Sequence, residues 1–258
     1  GENSNATKSQ QEFGQITLSF KKLAALVPIS NDLVRYSSPS ADQIVRDDIV
    51  RAMATREDEA FIRGTGVSGT PMGIKNWIHS DNKLTANGTV SLANATTDLG
   101  RCLQALMQAN IPLNPQQNLQ GSNTARAGWM LSPRTYRYLT TVQNANGIYA
   151  FRDEMLQGTL WGFPYRVTTQ IQETLTAAYA ETGGTQTEIY FGAFAHAVIG
   201  EALGLMVDAS TEAAYHDGTN VVASFSQDQT VIRVIAEHDF ALRHDKSFAL
   251  LRNVTWGA

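Results

Sequence analysis

Apolar residues recur at Ile44, Val45, Ile49, Ala52, Met53, Ala60 and Phe61, the three-to-four spacing of one buried helix face, and predict a helix over 40–63. Ser40 with Gln43 three positions on makes a capping box, and Pro39 blocks helix before it. The opposite face is charged in an ordered way. Asp42→Arg46, Asp47→Arg51 and Glu59→Arg63 each set an acid four residues before a base, worth roughly 0.2–0.5 kcal/mol per pair. Gly64 and Gly66 then end the helix where a left-handed residue is commonly needed. Such a rod is on the order of 35 Å long, which marks it as architectural.

Elsewhere the period changes. Residues 13–30 alternate loosely, with Ile16, Leu18 and Phe20 on one face, and predict an extended strand whose partner is a later segment or another subunit. Leu99, Leu103, Leu106 and Met107 predict a second helix over 97–109 that stops before Pro112. GWML at 128–131 reads as a buried strand delivering Ser132-Pro133, a cap and first-turn pair, into a short helix with Tyr136, Tyr138 and Leu139. A short helix near 152–157 and a strand near 163–168 follow. Ile189, Phe191, Ala197, Ile199, Leu205 and Val207 suggest two or three short buried strands broken at Gly192, Gly200 and Gly204. The last third alternates well, and its run over 229–243 is far longer than an ordinary strand. Long helix and long strand are expected to pack side by side as an elongated plate, with a compact α+β unit inserted between them.

Composition narrows the function. A net charge of −4, from 20 basic and 24 acidic residues without long runs, does not indicate a surface that wraps DNA or an anionic membrane. No stretch approaches 18 consecutive apolar residues, and GENSNATKSQQ has no signal-peptide core. The single cysteine, Cys102, fits a reducing cytosol and sits at helix spacing as a small buried apolar residue.

Candidate chemistry is thin. The glycine-rich turn RGTGVSGTPMGI (63–74) follows a helix instead of preceding one, so the dipole there has the wrong sign for phosphate, and no P-loop lysine is present. His238 and His244 lie along the long strand too far apart to share a metal, and His79, His196 and His216 have no ligand at suitable spacing. Ser132 stands on a strand-to-helix turn, but within LSPR, where the proline removes the N–H an oxyanion hole would use. No catalytic, cofactor-binding or metal-ligating residue is assigned, and no cofactor is expected. By elimination and by shape the chain reads as an assembly protein and not an enzyme.

The blocks ITLSFKKLAALVPISNDLV, EDEAFIRGTGVSGTPMGI, GWMLSPRTYRYL, LWGFPYRVT, YFGAFAHAVIGEALGLMVD and VIRVIAEHDFALRHDKSFALL, spread over most of 16–251, resemble tailed-phage major capsid proteins of the Hong Kong 97 type in order and spacing. The resemblance implies an α+β capsid fold in four stretches. Residues 1–22 would be the remnant of an extended loop arm, 23–82 a peripheral domain with spine helix 40–63, 83–215 an axial domain, and 216–258 a return to the peripheral long strand. The C-terminal strand of that last stretch would belong to the axial domain. It also implies a shell subunit of the virion, made in the cytoplasm of a bacterial host and assembled into hexamers and pentamers around packaged double-stranded DNA without sequence-specific contact. Its partners would be portal and scaffold or protease proteins, with no membrane. The arm would reach a neighbouring subunit, making Phe13, Ile16, Leu18, Phe20, Lys21 and Lys22 the expected intersubunit contacts, and loops 80–95 and 112–127 the axial ones. Family members that cross-link join a loop lysine to a neighbour's asparagine; Lys8, Lys21 and Lys22 do not fall on the linking position, and no cross-linking is expected. The family's N-terminal arm and the first half of its extended loop have no counterpart in the sequence.

Two other readings are weighed against this one. An encapsulin-like nanocompartment shell would share the fold, and a small hydrolase using Ser132 would belong to a different class altogether.

Overall fold

The computed structural model describes residues 15–36, 40–113, 127–176 and 184–258. Phe13, Lys8, Pro39, the Ser40 side chain of the expected capping box, the Asp42 side chain and most of loop 112–127 lie outside the described residues.

The elements run β1 (Lys21–Ser30), α1 (Asn31–Tyr36), α2 (Ser40–Arg63), α3 (Ile74–Trp77), β2 (Lys83–Thr85), α4 (Leu92–Gln108), β3 (Ala127–Leu131), α5 (Pro133–Thr141) and α6 (Arg152–Leu156). They continue through β4 (Thr159–Leu160), β5 (Phe163–Val167), β6 (Thr187–Ala193), β7 (Ala197–Ser210), β8 (Ala214–His216), β9 (Val221–Ala223), β10 (Gln229–Leu242) and β11 (Phe248–Val254). Among the described residues they make a three-stranded sheet β1-β10-β7, a six-stranded sheet β2-β11-β6-β3-β5-β4 and the hairpin β8-β9.

The long helix and the long strand do belong together. Antiparallel β1 pairs with the first ten of the fourteen residues of β10, from Lys21 opposite His238 to Ser30 opposite Gln229. Alternate residues of β1 (Leu23, Ala25, Val27, Ile29) meet Ile232, Val234 and Ala236 of β10 and Val45, Ile49 and Met53 of α2 in one apolar cluster. The helix touches the sheet along a narrower stripe than its sequence suggests. Val45, Ile49 and Met53 repeat every fourth residue, while Ile44 is 58% exposed and Ala52 is also exposed. Three-to-four spacing marks a broad face, of which the three-stranded sheet covers only the centre line.

The expected strand over 13–30 is shorter: 15–20 carry no strand pairing, and the partner of Lys21–Ser30 lies in the same chain. Of the expected ion pairs, Asp42→Arg46 rests on a side chain outside the described residues, and both members of Glu59→Arg63 take other partners. Glu59 takes Arg56, three residues back, and Arg63 leaves the helix surface for Glu188, because a buried carboxylate holds a guanidinium more strongly than an exposed one does. The second helix begins at Leu92, five residues early. The Asn- and Thr-rich approach is cap chemistry: Ser91 Oγ accepts from the Asn94 N–H at 3.2 Å, and the Thr96 and Thr97 hydroxyls donate back to Leu92 and Ala93 carbonyls.

The six-stranded sheet carries the main core. Ala95, Leu99, Cys102 and Leu106 of α4 pack with Trp129, Leu131, Phe191 and Leu251. Where two or three short buried strands are expected over 189–207, there are two, but only β6 is short and buried throughout; β7 has 14 residues and is largely exposed. Gly200 and Gly204 do not break β7. A Cβ at Gly200 would lie 2.8 Å from Leu18 Cδ1, so that glycine makes room for a side chain crossing the strand. The chain passes between the two sheets at 194–196 and 243–247, the crossings β6 to β7 and β10 to β11.

Candidate functional site

The sequence-derived contact residues are not all presented alike. Leu18 is half-buried against Gly200, and the Ser19 N–H donates to Asp239 Oδ2 at 2.7 Å, which fixes the segment ahead of β1 onto its own sheet. Ile16 and Phe20, on the same alternation, are 40% and 66% exposed. Lys21 is half-buried opposite His238, and Lys22 is exposed opposite Glu237. Beyond them the outward side of β1 shows Leu26, and the opposite edge strand β7 shows Ile199, Leu205, Met206 and Val207. Val221 of the β8-β9 hairpin and Phe225 just after it are 74% and 83% exposed. On the far side of the sheet, α2 presents Asp47, Asp48 and Asp58 to solvent. The three-stranded sheet is thus flanked by exposed apolar side chains on both outer strands, a pattern that marks contact surface.

Beneath this surface a buried charged joint connects the helix to the six-stranded sheet. Glu188 of β6, 1% exposed, receives Arg63 Nη1 at 3.2 Å on one oxygen and Lys75 Nζ at 3.2 Å on the other, and Tyr190 Oη donates to it at 2.8 Å. Burial pushes the Tyr190 hydroxyl well above its ordinary value, with the Glu188 charge adding to it. Burial also lowers the Lys75 ammonium against the opposing pull of Glu188. The glycine turn brings Arg63 and Lys75 to one carboxylate. A Cβ on Gly64 would stand 2.2 Å from the Pro71 carbonyl oxygen, and one on Gly73 would stand 2.6 Å from the Gly64 nitrogen, so two backbones touch there. Gly73 N–H donates to the Gly64 carbonyl at 2.9 Å, and Asn76 Nδ2 donates to the same oxygen at 2.6 Å. Of the two glycines expected to be left-handed, Gly66 is (φ 77°); Gly64 is required instead for this close approach. The sequence signals the turn but gives no sign that Glu188, 125 residues on, is its anchor.

The remaining candidates have structural roles. Ser132 is fully buried and caps α5, its Oγ accepting from the Thr135 N–H at 3.3 Å, which leaves no approach for a substrate. Cys102 is fully buried, and burial first, then Asp98, pushes its thiol up to about 12. His238 is held under α2, with Nδ1 3.5 Å from Glu57 and its ring edge-on to Phe61. His196 and His244 have their rings 5.0 Å apart. Among the described residues, no group of three His, Cys, Asp or Glu could hold a metal, and no helix is long and apolar enough to cross a membrane.

Residues 1–253 match the phage capsid family. The chain belongs to the phage capsid family. Within it, the chain is 36% identical over 254 residues to the major capsid protein of Klebsiella oxytoca phage phiKO2, covering 97% of this chain and 55% of that protein. It is 27% identical over 273 residues to a capsid polyprotein of Pseudomonas phage PAJU2, covering 37% of that protein. The chain therefore spans about half the length of the first relative and less of the second. Among solved structures, a chain of Mycobacterium phage Adephagia aligns with TM-score 0.65 at 14% identity over 97% of this chain and 79% of that one. The capsid of a native GTA particle aligns with TM-score 0.65 at 17% identity over 92% and 73%. These likenesses carry the fold, which is that of the Hong Kong 97-like phage capsids.

Proposed function

We propose that this chain is the shell-forming part of a major capsid protein that self-assembles into hexamers and pentamers of an icosahedral phage head enclosing double-stranded DNA. The observation that carries this reading is the match to the phage capsid family along residues 1–253, reinforced by a relative named major capsid protein at 36% identity. The geometry supports it: a rod-like helix on a long sheet, tied by a buried ionic joint to a second sheet, leaves its outer strands apolar and uncovered. The role is structural, with no reaction assigned to any side chain.

In this reading β1, α2, β7 and β10 form the peripheral unit, and the six-stranded sheet with α4 forms the axial unit. Ile16, Phe20, Lys21 and Lys22, with Phe13 before them, lie on a neighbouring copy. Lys21 and Lys22 face carboxylates such as Asp47, Asp48 and Asp58 on that neighbour's helix. The stretch 80–95, which holds β2 and the first turn of α4 as well as the loop between them, contributes to contacts around the symmetry axes, and portal and scaffold or protease proteins are the external partners. Electron microscopy of particles from the full-length gene product is the test. Closed shells tens of nanometres across support the reading, and a protein that stays monomeric under all packaging conditions overturns it.

A further inference from the structure

Two crossings join the sheets, and each carries a histidine. His196 ends the single turn between β6 and β7, and His244 lies between β10 and β11. Their rings meet edge-on at 5.0 Å and 64°. One backbone hydrogen bond ties the crossings directly, from the Arg243 N–H to the His196 carbonyl at 2.8 Å. His196 Nδ1 is buried without a hydrogen-bond partner. Space lies on both sides. A cavity of about 390 Å³ is lined by both histidines, Asp245, Lys246 and the turn Ala109–Pro112, and another of about 710 Å³ reaches His244 from between Trp77, Leu242 and Ile16.

The charges facing the pair are unbalanced. Arg243 and Lys246 are fixed cations from the same crossing as His244, and Asp245 is the one carboxylate among the described lining residues. The turn after α4 supplies only Ala109, Asn110, Ile111 and Pro112. His79 donates its backbone N–H to the Asp245 carbonyl, but its ring stands 3.4 Å from Asp81 and is engaged there. A proton arriving on the His196 imidazole therefore meets two cations and a second imidazole, against the single carboxylate of Asp245, in a half-buried space.

We propose that the His196–His244 contact is a proton-operated latch between the two sheets: neutral rings keep the crossings packed, and protonation drives them apart and frees the angle between the sheets. The latch goes beyond the shell reading and does not depend on it, since every group in it belongs to one chain. Burial first, then His244 and Arg243, holds His196 below the ordinary histidine value. The packed crossing consequently binds fewer protons than the separated one. Its stability is full at neutral pH and above, and is lost as pH falls below the ordinary histidine value of about 6.5.

Hydrogen exchange on the chain itself, corrected for intrinsic rates, tests this at pH 7.5 and 5.5. Protection of the Arg243 amide in the wild type is expected to fall on acidification. The double variant His196→Gln, His244→Gln should lose that fall, and His196→Lys, with a fixed cation, should show low protection already at pH 7.5. An undiminished fall in the double variant, or no fall in the wild type, overturns the latch. Should the double variant not fold, titration of the histidine ring protons in the wild type decides. A His196 value below the ordinary one that rises in His244→Gln supports the latch, and one at or above it overturns the latch.

Discussion

β6 and β7 follow each other in the chain with three residues between them, and both are apolar, yet every residue of β6 is buried while none of the fourteen in β7 is. β6 lies inside the six-stranded sheet between β11 and β3, covered by α4 on one face and by Ile62, Ile74 and Phe240 on the other. β7 is an edge strand with one pairing side free. A sheet edge normally carries lysine or proline that discourages further pairing. The other edge of the same sheet has Lys21, Lys22 and Pro28; β7 has neither residue type. The difference separates two uses of apolar residues: β6 spends them on the stability of one chain, and β7 keeps them for a surface that a single chain does not cover.

The largest expected effect lies on the β6 side. Trp129 is 1% exposed, its ring is 4.3 Å from Phe191 of β6, and its Nε1 donates to the Leu160 carbonyl at 3.0 Å. Trp129→Ala should cost about 3–5 kcal/mol through the cavity it leaves, read as a lowered urea midpoint. By contrast Leu205→Ser on β7 should move the midpoint by no more than about 0.5 kcal/mol, as surface substitutions do, while lowering particle yield. Equal destabilisation by the two changes would break the distinction between the strands.

The next effect lies at the joint between the sheets. Glu188→Ala removes the carboxylate that Arg63 and Lys75 share and leaves two cations with side chains only 13% and 15% exposed. Breaking a buried pair from one side costs about 3–5 kcal/mol; partial exposure of the cations places this at the lower end. Unfolding followed by both near-UV dichroism and hydrogen exchange should show protection lost first in α2 and α3. Gly64→Ala is smaller, at about 1–3 kcal/mol, because its Cβ would force apart the turn that brings Arg63 to Glu188. A Gly64→Ala protein with an unchanged melting temperature would show that the turn yields freely and does not position the joint.

How much of this was legible depends on whether the signal is local. Helix 40–63, the cap at Ser132 and the length of β10 are written in short-range period and capping chemistry, and they appear where the pattern puts them. The start of α4 was obscured because asparagine and threonine serve loops and helix first turns alike. The burial of β6 and the exposure of β7 could not be separated, since alternation reports which residues share a face and not whether anything covers that face. Glu188 was invisible for another reason. Its cationic partners, Arg63 and Lys75, lie more than a hundred residues away, and a lone acid in an apolar strand carries no spacing to read. The His196–His244 contact is likewise made only when two crossings meet.

The smallest expected effect on folding sharpens the comparison from the protected edge. Lys22 is exposed and sits opposite Glu237, so Lys22→Glu sets two like charges across the β1–β10 pair, a cost of about 0.2–1 kcal/mol. Lys21 is half-buried opposite His238, and Lys21→Glu has no facing acid in that register. Both changes leave the apolar cluster under β1 intact. If these lysines act on a neighbour's carboxylates, the double reversal lowers particle yield much more than it lowers the unfolding midpoint. Lys21→Gln with Lys22→Gln should then fall between it and the wild type, and added salt should narrow the gap as it screens the contact. Should yield follow the midpoint in all three proteins, the lysines act only within their own sheet, and the intersubunit role shifts to the apolar side chains of Ile16, Phe20 and β7.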